Sequence, residues 1–435
     1  MSEQIEYIEF RFPDILGRLK AMIVPCDGAD SVAELKKDPI LKRGTTVDGS
    51  SVTGLASVES SDLRLVPDPD SMFELPYTAQ RTAVAMCYIR RKGEDPRSGI
   101  RYPMDTRGAL LEVKEKLLKG RMELRVKIEP EFHFLTSEGE PFDYGGYADT
   151  YPRNVGGDVL IEIASAVRDV GMKPRVIHHE VGEAQQEIEL DYADAMSMAD
   201  FILAFKNLAR TIAISQDMDV TFMPKPFEGR AGNGLHCHLQ LWEGDKNLFG
   251  SDENGKLSDI AMMFIAGLMK HAKAITAIAN PSVNSYKRLV PHHEAPVYIT
   301  WGHMNRTVLV RVPLFEDPQE AAIEFRSSDS MTNPYLLFSS IIAAGMDGIE
   351  KKLEPPEGRS EDIFSLTDAE REMYGIETLP ANLRDALDEL ERNDVLRKAL
   401  GSELLDRYIQ VKREEWRQYS NETVTAWEWE QYHPA

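Results

Sequence analysis

Cysteine is scarce in this chain: three in 435 residues, at Cys26, Cys87 and Cys237. So sparse and odd a set builds no disulfide framework, and it fits a reducing compartment. Aromatic residues are few as well, at 8%. The opening MSEQIEYIEFRFPD has neither a basic start nor an apolar run, so no secretory signal is read there. A long unbroken apolar stretch is also missing. The most apolar segment, AMMFIAGLMKHAKAITAIAN (261–280), is interrupted by Lys270, His271 and Lys273, which gather on one side of a helix. That pattern predicts a core-facing helix rather than a membrane span. Basic charge is in deficit, with 50 Lys and Arg against 72 Asp and Glu and a net charge of −22. Nucleic acid and anionic membranes are poor partners for such a surface. Neither GxxxxGK[ST] nor GxGxxG occurs, which excludes the P-loop and the dinucleotide fingerprint. The expectation is a cytoplasmic globular protein, and its length predicts two domains.

Residues 1–90 hold three strand-like pieces, IEYIEFRF, LKAMIVPC and TAVAMCYI, separated by Gly, Pro and Asp. RRKGEDPRSGIRYP (90–103) reads as a linker. Beyond it a helix is expected, capped by Asp105 or Thr106 and ending at Gly120. Another is expected over 197–218. The tail from about 382 reads as charged helices forming a solvated outer layer, ending in two tryptophans, Trp427 and Trp429, that suit docking on another subunit.

In KIEPEFHF (127–134), Glu129, Glu131 and His133 alternate with apolar residues. Successive side chains of a strand point to opposite faces, so one face here is ionisable, with like positions ~7 Å apart. Taken alone, this is an edge strand with a wet face. The pattern recurs, however, in GLHCHLQLW (His236, His238, Gln240), AAIEFRSS (Glu324, Arg326) and QQEIEL (Glu187, Glu189). Wet faces of unrelated strands would also carry Lys, Ser and Thr. Four faces made mainly of Glu, His and Arg point to a sheet lining a site. Clustered carboxylates with an imidazole suit Mg²⁺ or Mn²⁺, whereas a structural zinc site needs Cys and His spacing that is absent. Arg288, Arg306, Arg311 and Arg326 add groups that grip carboxylate or phosphate. Oxygen-bound metals with an arginine cluster predict phosphoryl transfer.

Seven segments carry a resemblance: VDGSS (47–51), EPE (129–131), HHEVGEAQQEIE (178–189), KPFEGRAGNGLHCH (225–238), NPSVNSYKRLVPHHEAP (280–296), NRTVLVRVP (305–313) and IEFRSSDSMTNPY (323–335). In this order, and over nearly the whole chain, they resemble the glutamine synthetase family in its short type I form. The resemblance implies an α+β fold: a small N-terminal β-grasp domain (1–100) and a large catalytic domain (101–435), with a curved antiparallel sheet lining a funnel-shaped active site. It implies a homododecamer of two hexameric rings, in which the N-terminal domain of one subunit reaches into the next subunit's site.

It also implies roles, residue by residue. Glu131, Glu180 and Glu187 match ligands of a first metal ion, and Glu129, His236 and Glu324 those of a second, with two or three ions per site. Arg288 and Arg326 match the clamps on the glutamate carboxylates, with Gly232 in the same pocket. Arg306 and Arg311 match the residues that neutralise phosphate, and His238 and Arg311 lie on the nucleotide side. Asp48 matches the residue that deprotonates ammonium, Tyr147 a tyrosine near it, and Glu294 the flap. The implied reaction uses ATP to make γ-glutamyl phosphate from L-glutamate, which ammonia converts to L-glutamine.

Departures from the family cluster around the substrates: Ala231, Asn233, Gln240, Ala322, Arg175, and His292 with His293. They leave a glutamate–amine ligase, acting on a small alkylamine, as the alternative, followed by a non-catalytic regulatory relative. Phe364 stands where the adenylylated tyrosine of the enteric type lies, and Ser57 where the bacillus-like type has a feedback arginine, so neither control is expected. Among the remaining residues, His133 is expected to pack, His178 and His179 to support Glu180, Glu183 to be solvated, and Glu189 to stand behind the ligands or in water. Met262, Met263 and Met269 are expected to fill the core.

Overall fold

The computed structural model describes residues 4–92, 100–251, 255–291 and 295–432. The N-terminal part is a sheet of β1 (Ile5–Pro13), β2 (Leu19–Ala29), β3 (Thr45–Asp48), β4 (Asp62–Pro67), β5 (Phe73–Glu74) and β6 (Thr82–Arg91). Its order is β2-β1-β6-β4-β3, with β5 on β6. β1 and β6 run parallel and every other described pair is antiparallel. Ile8, Phe10 and Phe12 of β1 pack with Leu63, Leu65, Ala85 and Ile89 in a core of their own. The three strands expected from the sequence are β1, β2 and β6. Of the expected linker, Arg90 and Arg91 belong to β6, Tyr102 is buried, and 93–99 lie outside the described residues.

The helix Thr106–Leu117 begins where its cap requires. The Asp105 side chain accepts from Gly108 N–H at 3.0 Å. The same carboxylate accepts from Ile89 N–H and faces Arg90, at 3.0 and 3.1 Å, so one residue both starts the helix and ties it to β6. The helix ends before Lys119 and Gly120, both of which take positive φ.

The second sheet contains β7 (Met122–Leu135), β8 (Pro174–His179), β9 (Gln185–Leu190), β10 (Ala193–Asp194), β11 (Asp219–Thr221), β12 (Leu235–Glu243), β13 (Lys246–Asn247), β14 (Trp301–His303), β15 (Val310–Val312) and β16 (Ile323–Phe325). Its main order is β14-β15-β16-β12-β7-β9-β8, and among the described pairs only β14 with β15 is parallel. β7 pairs with β12, β10, β9 and β11 along its length. Its ladder with β12 runs to Pro130, and its ladder with β9 starts at Glu131. Pro130, which has no N–H to donate, stands at the changeover.

Ile128, Phe132, Phe134, Ile188, Leu235, Cys237 and Leu239 put the apolar face of this sheet into the main core. Helices Ala195–Ser215, Asp259–Ala279 and Pro334–Lys351 add to that core. Asp259–Ala279 is long and apolar enough to cross a membrane by length and composition, but it is packed inside the fold. His271 on this helix is buried, with Nε2 3.0 Å from Asp347 Oδ2.

The C-terminal tail corrects its expectation. Helices Leu383–Glu391, Asp394–Leu400 and Ser402–Asn421 bury Leu387, Leu390, Leu396, Leu404, Leu405 and Tyr408 in the main core. They carry a narrow apolar stripe under a charged face, and the many charges mask the stripe when the segment is read by composition. Trp427 and Trp429 are exposed on the last helix.

Candidate active site

The strand registers bring the ionisable faces together. Glu129 of β7 lies opposite His236 of β12, and Glu131 of β7 opposite Glu187 of β9, which lies opposite His178 of β8. On the other side, His238 of β12 is opposite Glu324 of β16, itself opposite Arg311 of β15. From these rows Glu129, Glu131, His178, Glu187, His236 and Arg311 line an open cavity of about 900 Å³, with His238 and Glu324 buried behind the lining. Arg288, Arg306 and Arg326 also line it, together with Tyr147, Glu180 and Gly232. The cavity thus gathers carboxylates and arginines in one lining.

At one end the acidic groups are compensated. His236 Nδ1 lies 3.6 Å from Glu129 Oε2, and His238 Nε2 lies 2.8 Å from Glu129 Oε1. Glu324 is fully buried, its Oε2 accepting from Arg311 at 2.7 Å and its Oε1 from Arg326. Burial pushes the Glu324 carboxyl up, but Arg326, His238 and His236 outweigh it and hold it at about 2. Glu129 is likewise driven up by burial and brought well below the usual range by His238 and His236.

At the other end they are not. Burial, with Glu131 and Glu187 close by, raises Glu180 to about 7. Glu187 is also raised, chiefly by burial. His178 Nε2 stands 3.2 Å from Glu187 Oε1, and that contact lifts the imidazole to about 9. His179 Nε2 is 2.9 Å from Asp143, and its Nδ1 is 2.6 Å from the Glu180 carbonyl oxygen. Repelling carboxylates that shift toward their protonated form are what a bound cation relieves.

The donors fit a divalent cation. Three overlapping groups each place one donor atom per residue within 4.8 Å of the others: Glu129–His238–Glu324, Glu129–Glu187–His236 and His178–Glu180–Glu187. All donors are carboxylate oxygen or imidazole nitrogen, with no thiolate, which suits Mg²⁺ or Mn²⁺. Glu131 is in none of these groups. Its Oε2 accepts from Gly234 N–H at 2.8 Å and from Gln185 at 3.1 Å, leaving Oε1 toward His236 at 3.8 Å.

Asp48, by contrast, stands apart from this cavity. Asp48 is exposed at the end of β3, where its carboxylate accepts from Ser50 N–H and from the Ser50 and Ser51 hydroxyls at 3.0, 2.7 and 2.8 Å. These bonds lower its pKa, and its place at the end of β3 is outside the cavity of its own chain. Glu294, with His292 and His293, lies outside the described residues.

Several smaller expectations resolve. Gly232 is where chain and arginine meet: a Cβ there would stand 2.3 Å from Pro224 O and 3.2 Å from Arg288 Cγ. Asn233 is buried and does not line the cavity, its Nδ2 donating to Met223 O at 2.9 Å. Gln240 is also committed, accepting from Trp242 Nε1–H at 3.0 Å. Arg175 is half-exposed, 3.6 Å from Glu189. Ala322 is buried, and Phe364 lines the cavity. His133 is wholly buried and held near 4 by that burial, a packing residue beside Phe227. Glu183 was expected in water but pairs with Arg230, a partner that only the fold brings near. Sequence reasoning missed Lys127, which lies between Glu129 and Glu189. Its place among the alternating residues of KIEPEFHF was the available signal.

Residues 4–92 match the glutamine synthetase β-grasp domain, and 104–432 match the glutamine synthetase catalytic domain. A glutamine synthetase of Pyrococcus abyssi is 41% identical, covering 98% of this chain and 96% of its own. That of Methanocaldococcus jannaschii is 40% identical over 99% of this chain and 96% of its own. Among solved structures, a GmaS/ADP complex superposes with a TM-score of 0.87 at 32% identity, over 100% of this chain and 98% of the other. The α+β architecture is therefore an N-terminal β-grasp domain followed by a catalytic domain, and this chain belongs to the glutamine synthetase family of glutamate–ammonia ligases.

Proposed function

We propose that the protein joins ammonia to the γ-carboxylate of L-glutamate, consuming ATP and releasing L-glutamine, ADP and phosphate. The observation that carries this reading is one cavity lined both by the carboxylates Glu129, Glu131, Glu180 and Glu187 and by four arginines. It is supported by relatives named glutamine synthetase at about 40% identity over full length. The same relatives disfavour the alkylamine and regulatory readings.

Arg288 and Arg326 would hold the glutamate carboxylates, with Gly232 leaving room for them. Arg288 is already anchored, its Nη1 donating to Ser327 O at 2.8 Å. Anchoring of this kind limits the side-chain entropy lost on binding. A γ-carboxylate oxygen attacks the γ-phosphorus of ATP; a P–O bond forms, the bond to the β-phosphate oxygen breaks, and ADP leaves. Arg306 and Arg311 face the charge that develops on the transferred group, with Arg311 and His238 on the nucleotide side. Asp48 takes a proton from ammonium beside Tyr147. The nitrogen then attacks the acyl carbon, a C–N bond forms, the C–O bond to phosphate breaks, and the remaining proton goes to solvent. Glu294 serves as the flap that keeps water from the acyl phosphate. Glu131, Glu180 and Glu187, and Glu129, His236 and Glu324, would hold two or three Mg²⁺ or Mn²⁺ ions. Bound there, such ions neutralise the phosphates and orient the γ-phosphoryl group.

Because Asp48 lies outside the cavity of its own chain, the reading requires a neighbouring subunit to supply it. A dodecamer of two hexameric rings in the cytoplasm meets that requirement. The domain boundary is placed at residue 100. The test is ATP-dependent phosphate release with glutamate and Mg²⁺ or Mn²⁺, offering ammonium, methylamine or ethylamine in turn. Preference for ammonium is expected; preference for an alkylamine overturns the assignment.

A further inference from the structure

Lys127 has no place in the chemistry above, yet it is buried on the polar face of β7, opposite His238. Its Nζ donates to Glu129 Oε1 at 3.2 Å and makes a short bond to Glu189. Glu189 in turn lies 3.6 Å from Arg175, so the lysine is one member of a charge chain leading to the surface.

The two oxygens of Glu129 face different neighbours. Oε1 meets Lys127 and His238, whereas Oε2 faces His236. Glu129 is also the residue shared by two of the three donor groups, Glu129–Glu187–His236 and Glu129–His238–Glu324. A carboxylate free to turn can serve either group. One whose Oε1 is tied by a buried N–H offers Oε2. Glu324 is itself tied at both oxygens by Arg311 and Arg326.

We infer that Lys127 is a positioning residue: by holding Oε1 of Glu129 alongside His238, it commits Oε2 to the ion that Glu129 and His236 would share. The inference rests on the divalent-cation reading of the cavity. Hydrogen bonds to ligating carboxylates commonly set metal affinity in this way. Charge alone predicts the opposite. A cation beside a metal site repels the metal, so its loss should tighten binding. The two accounts therefore differ in sign.

The experiment is a Mn²⁺ titration of the purified full-length protein, reading free Mn²⁺ by electron paramagnetic resonance. Parent, Lys127→Met, Lys127→Arg and Lys127→Gln are compared. The ion at issue is the one lost in Glu129→Gln. Lys127→Met is expected to bind that ion about tenfold more weakly, the low end of the effect of removing such a support. Lys127→Arg, which keeps N–H donors and charge, is expected to restore parental affinity. Unchanged or tighter binding in Lys127→Met overturns the inference and leaves the proposed reaction standing. Should Lys127→Met fail to fold, Lys127→Gln decides: an amide donor in place predicts affinity within about threefold of the parent, and clear tightening marks a charge effect. A parent that binds no Mn²⁺ sinks the metal reading itself.

Discussion

Glu129 and Glu324 stand among His236, His238, Arg311 and Arg326 and remain ionised despite deep burial, whereas Glu180 and Glu187, in the same cavity, are pushed toward the neutral acid. The difference lies in what surrounds each pair. The first meets fixed cations of its own chain. The second meets other carboxylates and, among the described residues, no arginine, its imidazoles being His178 and, beside Glu187, His236. One end of the cavity is thus self-neutralised and mechanically braced. The other holds a charge deficit that an incoming cation would fill, and there the gain from binding a metal is largest.

The strongest way to break this comparison is Arg326→Met. It leaves Glu324 buried without its closest cation, and unfolding by urea should show a loss of about 3–5 kcal/mol. A loss below about 1 kcal/mol would mean that Arg311 alone suffices and that the braced end is not distinctive. Phosphate release should fall as well, by about 100-fold or more.

A smaller effect sharpens the other end. A carboxyl raised in the folded state contributes stability that is complete below its ordinary value of 4.5 and is lost as pH rises through about 7. Metal-free protein should therefore weaken across that window by on the order of 2 kcal/mol, and Mn²⁺ should restore it. Glu180→Gln should flatten the profile, because an amide does not titrate. Differential scanning calorimetry at pH 4.5, 6 and 8 with a chelator measures it, and a parental slope in the variant would assign the window to another group.

The smallest effect on the fold is expected from Asp48→Asn, a carboxylate belonging to neither end. It is exposed and bonded to serine hydroxyls and a turn N–H, contacts that an amide oxygen can also accept, so stability should change by less than about 0.5 kcal/mol. Phosphate release should nonetheless drop by about 100-fold, as for loss of a proton acceptor. Mixed assemblies of Asp48→Asn and Glu131→Gln subunits should regain part of the activity, since some interfaces would then pair an intact Asp48 with an intact cavity. No recovery at any mixing ratio would place Asp48 outside the neighbour's site.

Much of the fold was legible because it is written at short range. Alternation marked β7, β9 and β12, and the Asp105 cap marked a helix start. The tail was misread for a related reason. Its buried leucines recur at helical spacing, but they are diluted by Glu, Arg and Lys on the outer face. The candidate site was legible as residue types on faces. Its pairings were not: Glu131 turning one oxygen onto Gly234 and Gln185, and Glu183 finding Arg230, both join segments far apart in the chain.

By itself, the sequence determined the chemistry available: clustered Glu and His on strand faces, four arginines, and no thiolate or phosphate loop. The alternation of a strand and the periodicity of a helix are properties of adjacent residues, and they survive without knowledge of neighbours. Tertiary structure alone decided which carboxylates are braced by cations and which are pushed toward the neutral acid. That division depends on burial and on charges brought within a few ångströms by strand register, and Coulomb energies in a low-dielectric cavity are set by those distances.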